Sequence, residues 1–275
     1  MINLFNYIER DSVIHRLTGA TKLVCLLLWC LASMSSFYTP LLIVQTIVGL
    51  LLFRMSKIRL REVWFMLTLA GAFMILNNVM IYLFSPEHGT TIYGTRTVLL
   101  KIAGPYTVTL EQLFYQLNVI LKYTASIPVV LLFINTTNPS EFAASLNRIG
   151  VSYQIAYSVA LALRYIPDIQ REYRDISLSQ QARGTEMSKK TSLVKRLKAV
   201  STILIPLVLS SVERIETIAN AMELRGFGKN KKRTWYMSRR FGKMDVVCMV
   251  VCFLILLLSV VLTIVYKSRY YNPFV

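Results

Sequence analysis

The stretch VVCMVVCFLILLLSVVLTIVY runs from Val246 to Tyr266 without one charged side chain. A helix that crosses a bilayer needs about 20 apolar residues, so this run predicts a span. The whole chain agrees: 55% of its 275 residues are hydrophobic, and its mean hydropathy is +0.51. Those values sit outside the range of ordinary soluble domains. Four more apolar runs precede it, at about Leu23–Phe37, Leu41–Phe53, Val63–Phe84 and Leu117–Thr136. The second is short, and Arg54 and Lys57 extend it by snorkelling. Arg10, Arg16 and Lys22 stand before the first run, and Ser33–Ser36 after it resembles a weak cleavage site, but the further spans favour a retained first helix. The expected architecture is all-α: a polytopic membrane protein with about five transmembrane helices.

Charge sets the orientation. With the N-terminus in the cytosol, residues 1–22, 54–62 and 137–243 fall inside and carry 26 of the 31 Lys and Arg. Only Arg96, Lys101, Lys267 and Arg269 fall outside, which satisfies the positive-inside rule. The same placement accounts for most of the +17 net charge and argues against a nucleic-acid partner. Three domains follow: a membrane domain of four spans over 1–136, a cytosolic helical domain over 137–243, and a final span with an outside tail over 244–275. The outside loop, about Ser85–Gln116, reads either as a small hairpin around its Gly-Pro or as an interfacial segment.

Within 137–243, Asn138-Pro139 with Glu141 is a helix-start pattern. Apolar residues then recur in steps of four and three at Ile155, Val159, Ala162, Ile166, Ile169, Tyr173 and Ile176. The spacing predicts a helix with one packing seam, kinked at Pro167. Asp168, Arg171, Glu172, Arg174 and Asp175 fall on its other face. A second seam follows at Leu204, Val208, Ser211, Ile215, Ile218 and Met222. Between the two, MSKKTS at 187–192 reads as a solvated turn and LVKRLKAV at 193–200 as a basic amphipathic piece.

Both seam-bearing helices end alike. The first stops at Ala182-Arg183-Gly184 and the second at Leu224-Arg225-Gly226. Glycine past a helix end admits the positive φ of a C-cap, and arginine in a last turn suits the helix dipole. One such end is an ordinary cap. Two, each on a long helix, suggest a docking device, because a guanidinium at a helix tip can take a carboxylate with two parallel hydrogen bonds.

Other chemistry is poorly supported. His15 and His88, the only histidines, fall on opposite sides of the membrane, so a membrane enzyme lacks a cluster of acid, base and nucleophile at one depth. FGKM at 241–244 lacks the pattern of a phosphate-binding loop. Cys25, Cys30, Cys248 and Cys252 sit in apolar runs as small hydrophobes without metal-ligand spacing. Of the polar residues in spans, Lys122 is expected to snorkel, and Asn77-Asn78 to bond between helices.

On these motifs the chain resembles the transmembrane, or T, component of energy-coupling factor transporters, the group that includes the cobalt-transporter membrane subunits. SVIHRLTGATKL (Ser12–Leu23) is similar to the family's stretch before its first span, with Gly19-Ala20 where Asp-Pro is usual. TTNPSEFAASLNRIGVS and LALRYIPDIQREY resemble the entry into its cytosolic helices. QQARG and AMELRGFG match its paired signatures, with Leu224 in place of alanine. The resemblance implies a non-catalytic subunit of the bacterial or archaeal cell membrane whose long cytosolic coupling helices cross. It implies two ABC ATPase partners, identical or different, which hold the ATP and Mg²⁺, with no cofactor in this chain. It also implies a small substrate-binding membrane protein, the S component, for vitamin or metal-ion uptake. Ala182, Arg183 and Gly184 would dock on one ATPase, and Leu224, Arg225 and Gly226 on the other. An ordinary permease that itself forms the substrate path is the alternative.

Overall fold

The computed structural model describes residues 10, 12–103, 106–184, 193–230, 234–235, 241–266 and 268–274. Its elements in chain order are α1 (Val13–Arg16), α2 (Gly19–Ser35), α3 (Thr39–Met55), α4 (Leu60–Phe84), α5 (His88–Tyr93), β1 (Val98–Ala103) and β2 (Tyr106–Thr109). Then come α6 (Leu110–Thr136), α7 (Pro139–Arg148), α8 (Tyr153–Ala182), α9 (Leu193–Leu224) and α10 (Lys243–Val265). The chain forms two compact units: Met1–Asn138 with Arg239–Val275, and Pro139–Ser238. The turn expected at 187–192 lies outside the described residues.

The first unit holds the five apolar helices expected as spans, so the chain is an all-α polytopic membrane protein. α4, α6 and α10 are long and apolar enough to cross a bilayer; α2 and α3 are shorter, at 17 residues each. Seventeen residues rise about 25 Å, a few ångströms below the usual hydrocarbon thickness. α6 is the centre, packed by α2, α3, α4 and α5, and α10 lies against α2. α4 turns large apolar side chains such as Trp64, Leu69, Phe73 and Phe84 outward, as a lipid-facing helix does.

Small and polar residues draw the helices together, since apolar burial gives no preference for helix over lipid. A Cβ on Gly49 of α3 would sit 3.4 Å from the Ala125 carbonyl oxygen of α6, so the glycine permits that approach. Trp29 Nε1 donates to the same carbonyl at 3.0 Å, and the Ser33 and Ser126 hydroxyls pair at 2.9 Å. Thr39 Oγ1 donates to Asn118 Oδ1 at 2.8 Å. Asn78 differs from expectation. Its side-chain amide bonds back to Met74 O of its own helix, and the bond to α6 is made by its main-chain carbonyl, which accepts from Gln116 Nε2 at 3.1 Å.

Helix ends are satisfied by charged side chains. Lys122 does not snorkel: it is buried, with Nζ 3.1 Å from Met34 O and 3.3 Å from the centre of the Phe37 ring. Met34 lies in the last turn of α2, whose carbonyls lack helical donors and favour a cation. Arg269 donates to the next such carbonyl, that of Ser35, at 3.3 Å. Lys22 Nζ reaches Thr136 O at the end of α6, at 2.8 Å. At the opposite sign of dipole, the buried Asp245 carboxylate accepts from Thr18 N at 2.9 Å and Gly242 N at 2.7 Å. These are the N-cap residues of α2 and α10. Thr18 also caps through its own hydroxyl, so Gly19-Ala20 simply begin α2.

The loop expected outside contains a hairpin. β1 pairs antiparallel with β2, with Val98 opposite Thr109 and Ala103 opposite Tyr106. Both carboxylate oxygens of buried Glu111 accept from Thr97 N, at 2.9 and 3.0 Å, and tie the hairpin to the start of α6.

Replacing Asp245 by Ala leaves two helix-start N–H groups without their charged acceptor. The expected loss is roughly 2 kcal/mol, or about 5 °C in the unfolding midpoint of the detergent-solubilised protein. Asp245→Asn, which keeps one acceptor oxygen, should lose less in the same melt.

Candidate functional site at two helix ends

The second unit is built around α8 and α9, with α7 packed on α8. α7 starts at Pro139, as the sequence predicts. Ser152 caps α8 by accepting from Ile155 N. α8 continues through Pro167, and α9 through Pro206, as unbroken helices.

α8 and α9 run antiparallel. Tyr153 and Tyr157, at the start of α8, meet Phe227 just past the end of α9, with ring centres 5.4 and 4.9 Å apart. Further along, Leu161 and Tyr165 line a groove with Ile218 and Met222. Further still, Glu172 bonds Ser210 and Arg214. Arg183 and Arg225 therefore stand at opposite ends of the pair. Counted along the helices at 1.5 Å per residue, they are about 35 Å apart.

The packed stripe follows the predicted seam only toward the end of α9, where Ile215, Ile218 and Met222 line the groove; elsewhere it departs from it. On α8 it runs through Leu161, Tyr165 and Glu172, one position round from Ala162, Ile166 and Tyr173. On α9 the buried Ile203 and Leu207 and the bonded Ser210 and Arg214 stand one position before Leu204, Val208, Ser211 and Ile215. Ile155, Ile169, Tyr173, Leu204, Val208 and Ile215 of the predicted seams are exposed. Hydrophobic periodicity missed the middle of the interface because it is polar. Arg214 Nη2 donates to Glu172 Oε2 at 2.6 Å, and the Ser210 hydroxyl donates to Oε1. Glu172, assigned from sequence to the outer face, points at the partner helix.

The two ends share one stereochemistry. Arg183 is the C-cap residue of α8, and Gly184 follows with φ +87. Gly184 N bonds Gln181 O at 3.0 Å. Arg225 follows the last residue of α9, and Gly226 has φ +64. Gly226 N bonds Glu223 O at 2.8 Å, and Phe227 N bonds Met222 O at 2.9 Å. These are the two bonds of a Schellman cap, completed by Phe227 and Met222 lining the same groove. Nothing lies within 4 Å of a Cβ built on either glycine, so φ, not crowding, is what requires them.

Ala182, Arg183, Gly184, Leu224 and Arg225 are all exposed, and Gly226 is half-buried. Leu224 is 90% exposed, which is unusual for a leucine and marks a surface free to meet another molecule. Each end thus presents a cationic fork on a fixed backbone, suited to a carboxylate acceptor. The structure brings each triplet together locally and holds the two triplets apart.

The sequence profile of the CbiQ cobalt transport protein family matches residues 10–236. The chain is 32% identical over 257 residues to the energy-coupling factor transporter transmembrane protein EcfT of Bacillus selenitireducens, covering 89% of this chain and 91% of that relative. It is 27% identical to the protein of the same name from Leuconostoc gelidum, over 90% of this chain and 91% of the relative. For the Staphylococcus aureus protein of that name the figures are 25%, 89% and 91%.

Replacing Gly184 or Gly226 by Ala forces a side chain into the left-handed region at a cost of about 1 kcal/mol. Hydrogen exchange should show about fivefold lower protection in the last turn of the affected helix. Gly71→Ala, at a helical glycine with nothing within 4 Å of its Cβ, should leave both ends unchanged.

Proposed function

The chain belongs to the CbiQ cobalt transport protein family, and from that premise we propose that it is the energy-coupling membrane scaffold of an energy-coupling factor importer. It carries no substrate itself. Arg183 docks on one ABC ATPase subunit and Arg225 on the other, each in an acidic groove. Movement of the ATPases on binding and hydrolysing ATP shifts α8 and α9. That motion reorients a small substrate-binding S component, which brings a vitamin or metal ion inward. The N-terminus and residues 137–243 are cytosolic, residues 1–136 and 244–275 form the membrane part, and the chain passes the cell membrane several times.

The observation that carries this reading is one Arg-Gly turn built twice, its glycine at positive φ with the N–H bonded to the carbonyl three residues back, at the two far ends of an antiparallel helix pair. A single exposed arginine at a helix end has a sufficient structural reason. Two of them, in the same turn and about 35 Å apart along the helices, fit two separate acidic sites and not one. The relatives' identity as energy-coupling factor transporter transmembrane proteins supports the transporter assignment. The apolar seams left exposed on α8 and α9 suit burial under another subunit, which an isolated permease would not need.

The test is retention of the ATPases. Arg183→Ala or Arg225→Ala should each weaken docking by roughly 2–5 kcal/mol, as loss of one partner of a desolvated ion pair does. Binding of the purified ATPases to the variant in nanodiscs measures it. Lys at either position should recover only part, since it lacks the planar fork. The double Ala variant should insert normally and support no uptake; ATP-driven uptake at the normal rate would rule the reading out.

A further inference from the structure

We propose that Glu172 and Arg214 are the fulcrum of the two-helix lever, positioning residues that fix how far a push at one arginine end is felt at the other. The proposal rests on the coupling reading above and deepens it. Three observations carry it. First, this is the only ion pair between α8 and α9 among the described residues, and it is half-buried, with side chains 20% and 36% exposed. Second, it is a triad: Glu172 takes Arg214 on one oxygen and the Ser210 hydroxyl on the other, so both carboxylate oxygens are committed to α9. Third, its placement is symmetric. Arg183 lies 11 residues beyond Glu172, and Arg225 lies 11 residues beyond Arg214. In an antiparallel pair, that puts the contact midway between the tips, with an arm of about 16 Å on each side.

The contact on one side of this point differs in kind from the point itself. Toward the Arg225 end, Leu161, Tyr165, Ile218 and Met222 line an open apolar groove of about 410 Å³, so the helices there are not tightly interlocked. A charge-assisted hydrogen bond holds one point while the axes change angle about it. Interdigitated apolar ridges would instead select a crossing angle. With equal arms, a change in the angle between the axes displaces both tips by the same distance. That suits a scaffold driven by two ATPase subunits that close on one another.

The experiment uses the complete complex, this chain with its ATPases and its small membrane partner, in proteoliposomes. ATP hydrolysis and uptake are measured on the same sample, giving substrate carried per ATP. Glu172→Arg and Arg214→Glu, each alone, place like charges at the fulcrum. They should retain the ATPases and their hydrolysis and lower the ratio by about tenfold. Combining the two exchanges rebuilds the pair with reversed polarity and should return the ratio to within about twofold of the unaltered protein. Should a reversal prevent insertion, Glu172→Gln, which keeps the acceptor for Ser210, should still lower the ratio. An unchanged ratio in every single variant, or a double exchange no better than the singles, overturns the fulcrum. That result would leave the docking reading standing. Failure of the unaltered chain to hold the ATPases would sink the docking reading instead.

Discussion

A bilayer offers no water to a polar group, and the membrane unit is organised by that constraint. Each helix end that enters it has carbonyls or N–H groups to satisfy. The C-terminal carbonyls of α2 are taken by Lys122 and Arg269, and the hydroxyl of Ser259 reaches Ala32 O at 3.0 Å. The end of α6 is taken by Lys22, and the starts of α2 and α10 share Asp245. In every case the sign of the side chain opposes the sign of the dipole. Charges that look misplaced in an apolar sequence are therefore helix caps supplied by a neighbouring helix. They knit α2, α6 and α10 together as firmly as any packing contact could in lipid.

The second unit answers a different demand. Two helices of 30 and 32 residues present ends that, on the proposed reading, dock on other subunits, which asks that each be stiff and its geometry reproducible. A glycine at positive φ after an arginine achieves this, because it closes the last turn with main-chain bonds. Leu224, in place of an alanine, makes the second end bulkier and more apolar than the first. The two ends are alike in backbone and unlike in surface, as two different grooves, or two faces of unlike subunits, would require.

Much of this was legible in the chain. Runs of apolar residues find all five membrane helices and bound four of them to within a few residues, because length and hydropathy are strong signals; α6 starts at Leu110, seven residues before its apolar run. Asn138-Pro139 marks α7, and the two Arg-Gly pairs mark the ends of α8 and α9, because glycine and proline speak through backbone geometry. The helix-to-helix register was not legible. Ala162 and Ile166 pointed to one face, and Leu161, Tyr165 and Glu172 occupy the one that packs. Periodicity weighs only apolarity, and this interface is half polar. Lys122 failed for a related reason: snorkelling considers a lysine and the lipid, and the carbonyl that holds it belongs to a helix 88 positions away. The signal that would have found Glu172 and Arg214 was the 42-residue offset they share with Arg183 and Arg225.

That offset bears on why the middle of the pair is polar at all. An apolar zipper along the whole length would hold α8 and α9 more tightly, and the sequence has the residues for it in the seams it leaves exposed. Such a zipper would also fix the angle between them, since ridges in grooves admit only a few crossings. An ion pair with one hydroxyl is weaker over its area and less demanding of angle. It still forbids sliding, because a shift of one turn, about 5.4 Å, would strand Glu172 without Arg214 or Ser210. A contact that resists sliding and tolerates rotation is what a lever needs at its centre. On the proposed reading, the apolar residues left exposed, such as Leu204 and Val208, are then available to whatever the lever moves.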